Sequence, residues 1–316
     1  MDSATLRSFV AVAELLHFRR AAERLGIGQA VVSRHVQALE HEVGTPLLLR
    51  TTRSVSLTAA GATMLEEARA VLDRTDAALR TARAAAAGGL PMLRLGGIDG
   101  ALNVLLPSIL KGLGSFDAGL RVAVTEVTNS GDGATAVANR RLDAALVRPP
   151  ERRVEGVAWM GVWREPIVAA LPQDHPAAQR ARVDPGSLSD TTMIAFPRQT
   201  RPILHRAVRA VLETADDPPC IGLELSEKLT VLTLVSEGVG WALLPAWVSR
   251  LPVERVAFRP LARPAPPLPL ALCWRDGDPS ETVAALRRIV GDAVRAGTLP
   301  PDAVGIDPED WPSIAD

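Results

Sequence analysis

The chain has 316 residues, 47% of them hydrophobic and 22% charged, with a formal net charge of −1. That length is too great for one ordinary core and suits two or three domains, and the composition excludes disorder over most of the chain. The small net charge hides an asymmetry: residues 1–60 carry a net +2 and the last 16 residues carry −5, a mildly basic head and an acidic tail.

Asp2, Arg7 and Glu14 interrupt the first apolar stretch at helical spacing, so it does not read as a signal peptide. No window approaches 18 uninterrupted apolar residues, so no membrane partner is expected. A cytoplasmic protein is the expectation. The two cysteines, Cys220 and Cys273, form no CxxC pair and read as buried thiols of a reducing compartment.

Leu6, Phe9, Val10, Ala13 and Leu16 share one helical face, with Asp2 or Ser3 as cap. A second short helix is predicted from about Arg19 to Leu25, ended by Gly26. A third runs from about Gln29 to Val43, with Val32, Val36, Leu39 and Val43 inward and Gly44 as its stop. Three short helices with a glycine turn before the third outline a helix-turn-helix. Leu47–Arg50 and Val55–Leu57 then read as a hairpin with a basic tip, a wing.

Thr58 is positioned to cap a long helix reaching about Ala87. Gly61, Met64, Ala68, Val71, Thr75, Ala78 and Ala82 repeat at heptad spacing, and Leu65, Leu72 and Leu79 flank them. Such a seam calls for a partner helix, so Met64, Ala68, Val71, Leu72 and Leu79 are the expected dimerisation residues. The alternative is a helix packed on its own domain.

Gly88, Gly89 and Pro91 read as a hinge. From Met92 onward strands and helices alternate, which indicates mostly parallel sheets covered by helices. The fold class is therefore α/β, with a winged helix-turn-helix over residues 1–58 and a linker helix over 59–88. Two α/β halves follow over 89–299, the second at about 162–267. Residues 300–316 hold four prolines and five acids and are expected to be a disordered tail.

The run Leu6-Arg7-Ser8-Phe9-Val10-Ala11-Val12-Ala13-Glu14 and the run Phe18 to Leu25 carry a family likeness. With Gln29, Ser33-Arg34, Leu39-Glu40, Gly44, Pro46-Leu47, Arg50, Arg53, Leu57-Thr58 and Ala60-Gly61, they resemble the LysR-type transcriptional regulators. Leu93–Gly96, Leu142–Pro149 and Gly238–Pro245 look like landmarks of that family's effector domain. Arg148-Pro149, Phe196-Pro197-Arg198 and Arg201-Pro202 resemble the subgroup that senses aromatic and other organic acids. The resemblance implies a dimer or dimer of dimers on interrupted palindromic operators. It also implies a Rossmann-like, two-lobed effector domain similar to periplasmic binding proteins, with a small molecule between the lobes. RNA polymerase is a further expected partner.

The third helix is then expected in the major groove, where Gln29 can hydrogen-bond adenine, with Ala30 beside it and Ser33 and Arg34 one turn on. Arg50 and Arg53 flank the wing tip, and Arg19 and Arg20 open the second helix, where a phosphate approaches such motifs. Gly28 stands where the family usually caps the recognition helix with serine, and Ala30 where proline is usual. Arg24 reads as an ion-pair partner within its helix rather than a DNA contact.

In the effector domain, Asp99 and Gly100 follow the first strand, Ser130 the second and Arg148 the third. Pro202 and Ile203 open a helix whose N-terminal amides suit an anion. Arg148 suits a carboxylate, or a salt bridge between lobes. Asp99 opposes an acid, or merely caps a helix. Asp99, together with Gly100 where the family's acid-binding members tend to place a hydroxyl, leaves open a regulator that needs no effector.

No GxSxG, HExxH or GxGxxG in strand context is present, so an enzyme is not expected. Neither is a cofactor or metal: His17, His35 and His41 have no ligand company and read as surface residues.

Overall fold

A computed structural model describes residues 2–50, 54–86, 92–150, 154–215, 217–263 and 265–306. The chain divides into two compact units: residues 1–89, and residues 90–316 apart from 139–141.

The first unit is built from α1 (Ser3–Leu15), α2 (Phe18–Leu25), α3 (Gln29–Val43), the hairpin β1 (Leu48–Arg50) and β2 (Val55–Leu57), and α4 (Ala59–Ala86). Local chemistry sets each boundary. The Asp2 carboxylate accepts from the Thr5 amide at 2.7 Å and caps α1. Leu16, Gly26 and Gly44 end the first three helices in the left-handed conformation. Thr58 Oγ1 accepts from the Gly61 amide at 2.9 Å and starts α4. Phe9, Val12, Val32, Val36, Leu39 and Leu47 are fully buried and make the core. Burying each large side chain contributes about 2 kcal/mol.

This core also takes residues assigned to a dimer seam. Ala68 and Leu72 are buried in it, and Met64 and Leu65 pack against it. Ala68 and Leu72 thereby spend their apolar surface on the domain's own helices, while Met64 is half-buried. Val71 and Leu79 remain 44% and 48% exposed, and Thr75, Ala78 and Ala82 are exposed with them.

The second unit holds two sheets. The first is six-stranded in the order β13-β6-β12-β5-β3-β4. Its strands are β3 (Met92–Gly97), β4 (Arg121–Glu126), β5 (Ala144–Val147), β6 (Val157–Glu165), β12 (Leu268–Arg275) and β13 (Val304–Gly305). The second is five-stranded in the order β11-β7-β10-β8-β9. It comprises β7 (Ile167–Pro172), β8 (Met193–Ala195), β9 (Ile221–Glu224), β10 (Trp241–Pro245) and β11 (Val256–Pro260). Helices α5 (Asp99–Phe116), α6 (Ser130–Ala138) and α9 (Glu281–Arg295) serve the first lobe, and α7 (Pro202–Leu212) and α8 (Lys228–Ser236) the second. Every residue of β5, β7, β8 and β10 is buried, as expected for strands covered on both faces.

The structure departs from expectation in four places. Strand β6, with Trp159 and Trp163, was not anticipated, and it belongs to the first sheet, so the second lobe begins after Glu165. The sheets are mixed rather than mostly parallel, because β6 and β12 pair antiparallel, as do β7 and its neighbours β10 and β11. The chain passes from one sheet to the other at Pro166 and back before Leu268, and those crossings reverse strand direction.

Residues 300–306 do not behave as a disordered tail. Val304 and Gly305 pair with β6, the Ile306 amide donates to the Val162 carbonyl at 3.1 Å, and Ile306 is buried. The segment covers an edge that would otherwise expose its hydrogen-bonding groups. The rest of the proposed tail lies outside the described residues. Finally, Cys220 is exposed, while Cys273 is buried and burial pushes its thiol up to about 12. No helix among the described residues is long and apolar enough to cross a membrane.

Candidate functional site

Helix α3 turns Val32, Val36 and Leu39 to the core and exposes Gln29, Ala30 and Arg34, with Ser33 half-buried. Positions four apart share a helical face. Gln29 with Ser33, and Ala30 with Arg34, therefore form two parallel rows opposite the core. Gln37 extends the first row and is also exposed. Gly28 caps α3 without a side-chain hydrogen bond, which leaves first-turn amides free for a phosphate. Arg20 is exposed. Arg19 is exposed and lies 3.5 Å from Glu23, a contact too solvated to hold it.

Several polar residues are structural instead. Arg50 pairs with Glu40 at 2.8 Å and stacks 4.8 Å from the Phe18 ring. Glu40 also accepts from the Leu47 and Leu48 amides. Arg50 thus ties the wing to α3 through Nη2, with its side chain part-exposed. Arg24 reaches across to Glu14 of α1 at 2.6 Å, not along its own helix, and Arg69 of α4 meets the same carboxylate at 2.8 Å. His17 caps α2, and His35 hydrogen-bonds the buried Ser8 hydroxyl at 2.8 Å, so neither is a mere surface residue. Arg53 lies outside the described residues.

The second candidate site is the cleft between the two lobes of the second unit, at the carboxyl ends of the parallel strands, where open α/β sheets bind ligands. It has about 390 Å³ of empty volume, counting the part open to solvent. Asp99 follows β3, Ser130 opens α6 after β4, and Arg148 follows β5. From the other lobe come Arg201, which precedes α7, and Lys228, which opens α8. All five line the cleft, as do Pro202, Ile203 and Thr128.

The charges form a chain. Arg148 is 6% exposed; its Nη2 donates to Glu165 at 2.8 Å and its Nη1 to the Pro269 carbonyl at 3.2 Å. The other Glu165 oxygen accepts from the Trp247 amide at 3.2 Å. Lys228 Nζ donates to Asp99 Oδ2 at 2.5 Å, and Arg201 Nη2 lies 3.6 Å from the same oxygen. Lys228 also sits 5.7 Å from the Phe196 ring and 5.9 Å from the Trp247 ring, which favours a cation there.

Burial raises the Asp99 pKa, but Lys228 and then Arg201 outweigh it and hold the carboxyl below its ordinary range. Burial lowers the Lys228 pKa; Asp99 opposes that, and Arg201 and Arg148 add to it. Arg201 is 7% exposed, and its Nε finds no hydrogen-bond partner among the described residues. A buried donor left unpaired is costly, so such a group points to a missing acceptor. Helix α7 starts beside it with no side-chain cap, so the Ile203 and Leu204 amides face the same space.

Two descriptions from known families match the chain. A bacterial regulatory helix-turn-helix of the LysR family matches residues 4–62. A LysR substrate binding domain matches residues 86–295, more than half of the chain. The chain belongs to the LysR family. It is a DNA-binding transcription regulator with an effector-binding domain, not an enzyme.

The HTH-type transcriptional regulator IlvR of Caulobacter vibrioides is 34% identical over 291 residues, covering 92% of this chain and 97% of that protein. Among solved structures, CbnR, a LysR family transcriptional regulator, superposes with a TM-score of 0.66 at 23% identity, covering 93% of this chain and 99% of its own. Full-length BenM does so with 0.57 at 25%, covering 96% and 100%. The two-lobed LysR architecture is thus shared along the chain.

Within this LysR regulator, Asp99, Ser130, Arg148, Pro202 and Ile203 do come together in the cleft. Gly100 does not line it. A Cβ there would meet Trp247 Nε1 at 2.6 Å, so glycine answers to packing. Arg148 is committed to Glu165 within the first sheet, neither an unpaired carboxylate receptor nor a bridge between lobes. Asp99 does not cap α5 through the second residue on; it accepts from the adjacent Gly100 amide at 2.8 Å and holds Lys228. Three charged residues of this site were missed: Lys228 and Arg201, which line the cleft, and Glu165, which pairs with Arg148 behind it. Their sequence gives little signal, because Glu165 follows Arg164, Lys228 follows Glu227 and Arg201 follows Gln199 and Thr200, so each reads as part of an ordinary polar stretch.

Proposed function

We infer that this LysR regulator reads operator DNA with Gln29, Ala30, Ser33 and Arg34 of α3 and answers to a small organic anion held in the cleft. The observation that carries the effector reading is Arg201 Nε, buried and unpartnered beside the uncapped α7 amides. Counting Arg148, Arg201 and Lys228 against Asp99 and Glu165, the cleft holds one positive charge in excess, which favours an anion. Arg20 and Arg19 are assigned to flanking phosphates. Val71, Thr75, Ala78, Leu79 and Ala82, spaced along the exposed side of α4, are assigned to a partner helix, giving the dimer that an interrupted palindrome requires. The same reading has the protein act on nucleoid DNA in the cytoplasm, in contact with RNA polymerase.

The test is thermal denaturation of the full-length protein with benzoate and butyrate. A ligand at 100 times its Kd stabilises by about 2.7 kcal/mol, and Arg201→Gln should abolish the gain. No stabilisation by any acid would favour instead a regulator that works without an effector.

A further inference from the structure

Resting on that effector reading, we propose that the cleft selects its ligand by charge count: Asp99 is an internal counter-ion that leaves one positive charge unmatched, so the site takes monocarboxylates and rejects dicarboxylates.

Asp99 stands at the mouth of the first lobe, yet its Oδ2 is claimed by two residues of the other lobe, Lys228 at 2.5 Å and Arg201 at 3.6 Å. The second cationic group pair is closed on itself, since Glu165 matches Arg148 at 2.8 Å. Arg201 is therefore the cation only half satisfied: its Nη2 is near Asp99, but its Nε has no acceptor. Glu227 beside Lys228, Arg198 near Arg201 and Arg164 beside Glu165 are exposed and screened. Among the described residues lining the cleft, no other side chain is charged.

A single carboxylate on Arg201 Nε and the Ile203 and Leu204 amides completes the count. It also leaves the Asp99–Lys228 pair intact. A second carboxylate in so small a space meets Asp99, a like charge already buried at 16% side-chain exposure, or must strip Lys228 from it. Either course leaves a desolvated charge without a partner. Asp99 thus works as a specificity residue that never needs to touch the ligand.

The experiment is calorimetric titration of the full-length protein with two pairs matched in carbon number, butyrate against succinate and 2-methylbenzoate against phthalate. Wild type should favour the monocarboxylate of each pair by about tenfold or more, the scale of an unpaired charge in a partly dry site. Asp99→Asn makes the excess two charges and should erase or reverse that ratio. Because Asp99→Asn strands buried Lys228, Lys228→Gln is the second variant; it brings the excess to zero with Asp99 still beside Arg201. Its affinity for butyrate should fall about tenfold, and the double variant Asp99→Asn with Lys228→Gln, again at one excess charge, should regain it.

A mono-to-di ratio unmoved in a folded Asp99→Asn protein overturns the proposal. So does a wild type that prefers succinate, or a double variant no better than Lys228→Gln. Acid binding unaffected by Arg201→Gln would show a ligand bound elsewhere and remove the effector reading itself, as would an absence of binding by any of the four acids.

Discussion

Gly61 shows how much one position can carry. It sits in the first turn of α4, and a Cβ there would stand 1.9 Å from the Leu47 carbonyl oxygen. That oxygen accepts the Thr58 amide at 3.0 Å and the Thr58 hydroxyl at 3.2 Å, so it cannot move aside without undoing the cap that starts α4. Gly61→Ala should therefore destabilise the N-terminal unit by about 2 kcal/mol or more, beyond any helix-propensity gain. An unchanged melting temperature would refute this.

Asp99 is the matching case in the other unit. A carboxyl whose folded-state pKa lies below its unfolded value stabilises the fold above the unfolded pKa, and that stabilisation is lost as pH falls through the folded value. Asp99 is held below its ordinary 3.8. The advantage of wild type over Asp99→Asn in denaturant unfolding should therefore be full at pH 7 and shrink only below about pH 4. A gap that closes at neutral pH would mean that Lys228, not Asp99, governs the pair.

At the scale of elements, α3 divides its labour by face. Val32, Val36 and Leu39 are fully buried, while Arg34 projects from the opposite side. Arg34→Ala removes no core contact. It should weaken binding to DNA selected from a random pool by about 1–3 kcal/mol and leave stability unchanged. Equal DNA affinity would sink the assignment of α3 as the reading helix. The wing behaves differently, because Arg50 is tied to Glu40 and Phe18 and its loss would act through the position of the hairpin. The strand β13 makes the same point for the tail: two residues and Ile306 suffice to cover the edge of β6, because one buried isoleucine and a few backbone bonds offset the ordering of a short segment.

At the scale of the whole molecule, the proposal that the exposed row on α4 meets a partner helix can be tested. Leu79 is 48% exposed and packs on nothing in its own core. Leu79→Glu should lower the dimer population seen by sedimentation while the monomer keeps its fold, whereas Leu72→Glu should unfold the N-terminal unit, since Leu72 is 8% exposed. Unaltered sedimentation of Leu79→Glu would place the partner surface elsewhere.

Sequence alone determined the class of molecule. Helix periodicity, glycine stops and the Thr58 cap are local signals, and they located α1 to α4, the wing and the alternation of strands and helices. The same local signals put Asp99, Ser130 and Arg148 just past strand ends, and Pro202 and Ile203 at a helix start, where the cleft forms. Only the tertiary structure decided which charges meet. Lys228 is 129 residues from Asp99, and Arg148 is 17 from Glu165 and 121 from Pro269; no periodicity links such pairs. Tertiary packing also divided the α4 seam between the domain's own core and solvent, because a heptad row reports an apolar stripe but not the surface that covers it. Glycine at position 100 had the same ambiguity. Its reason is the Trp247 ring from a distant turn, a contact that exists only once both lobes have folded.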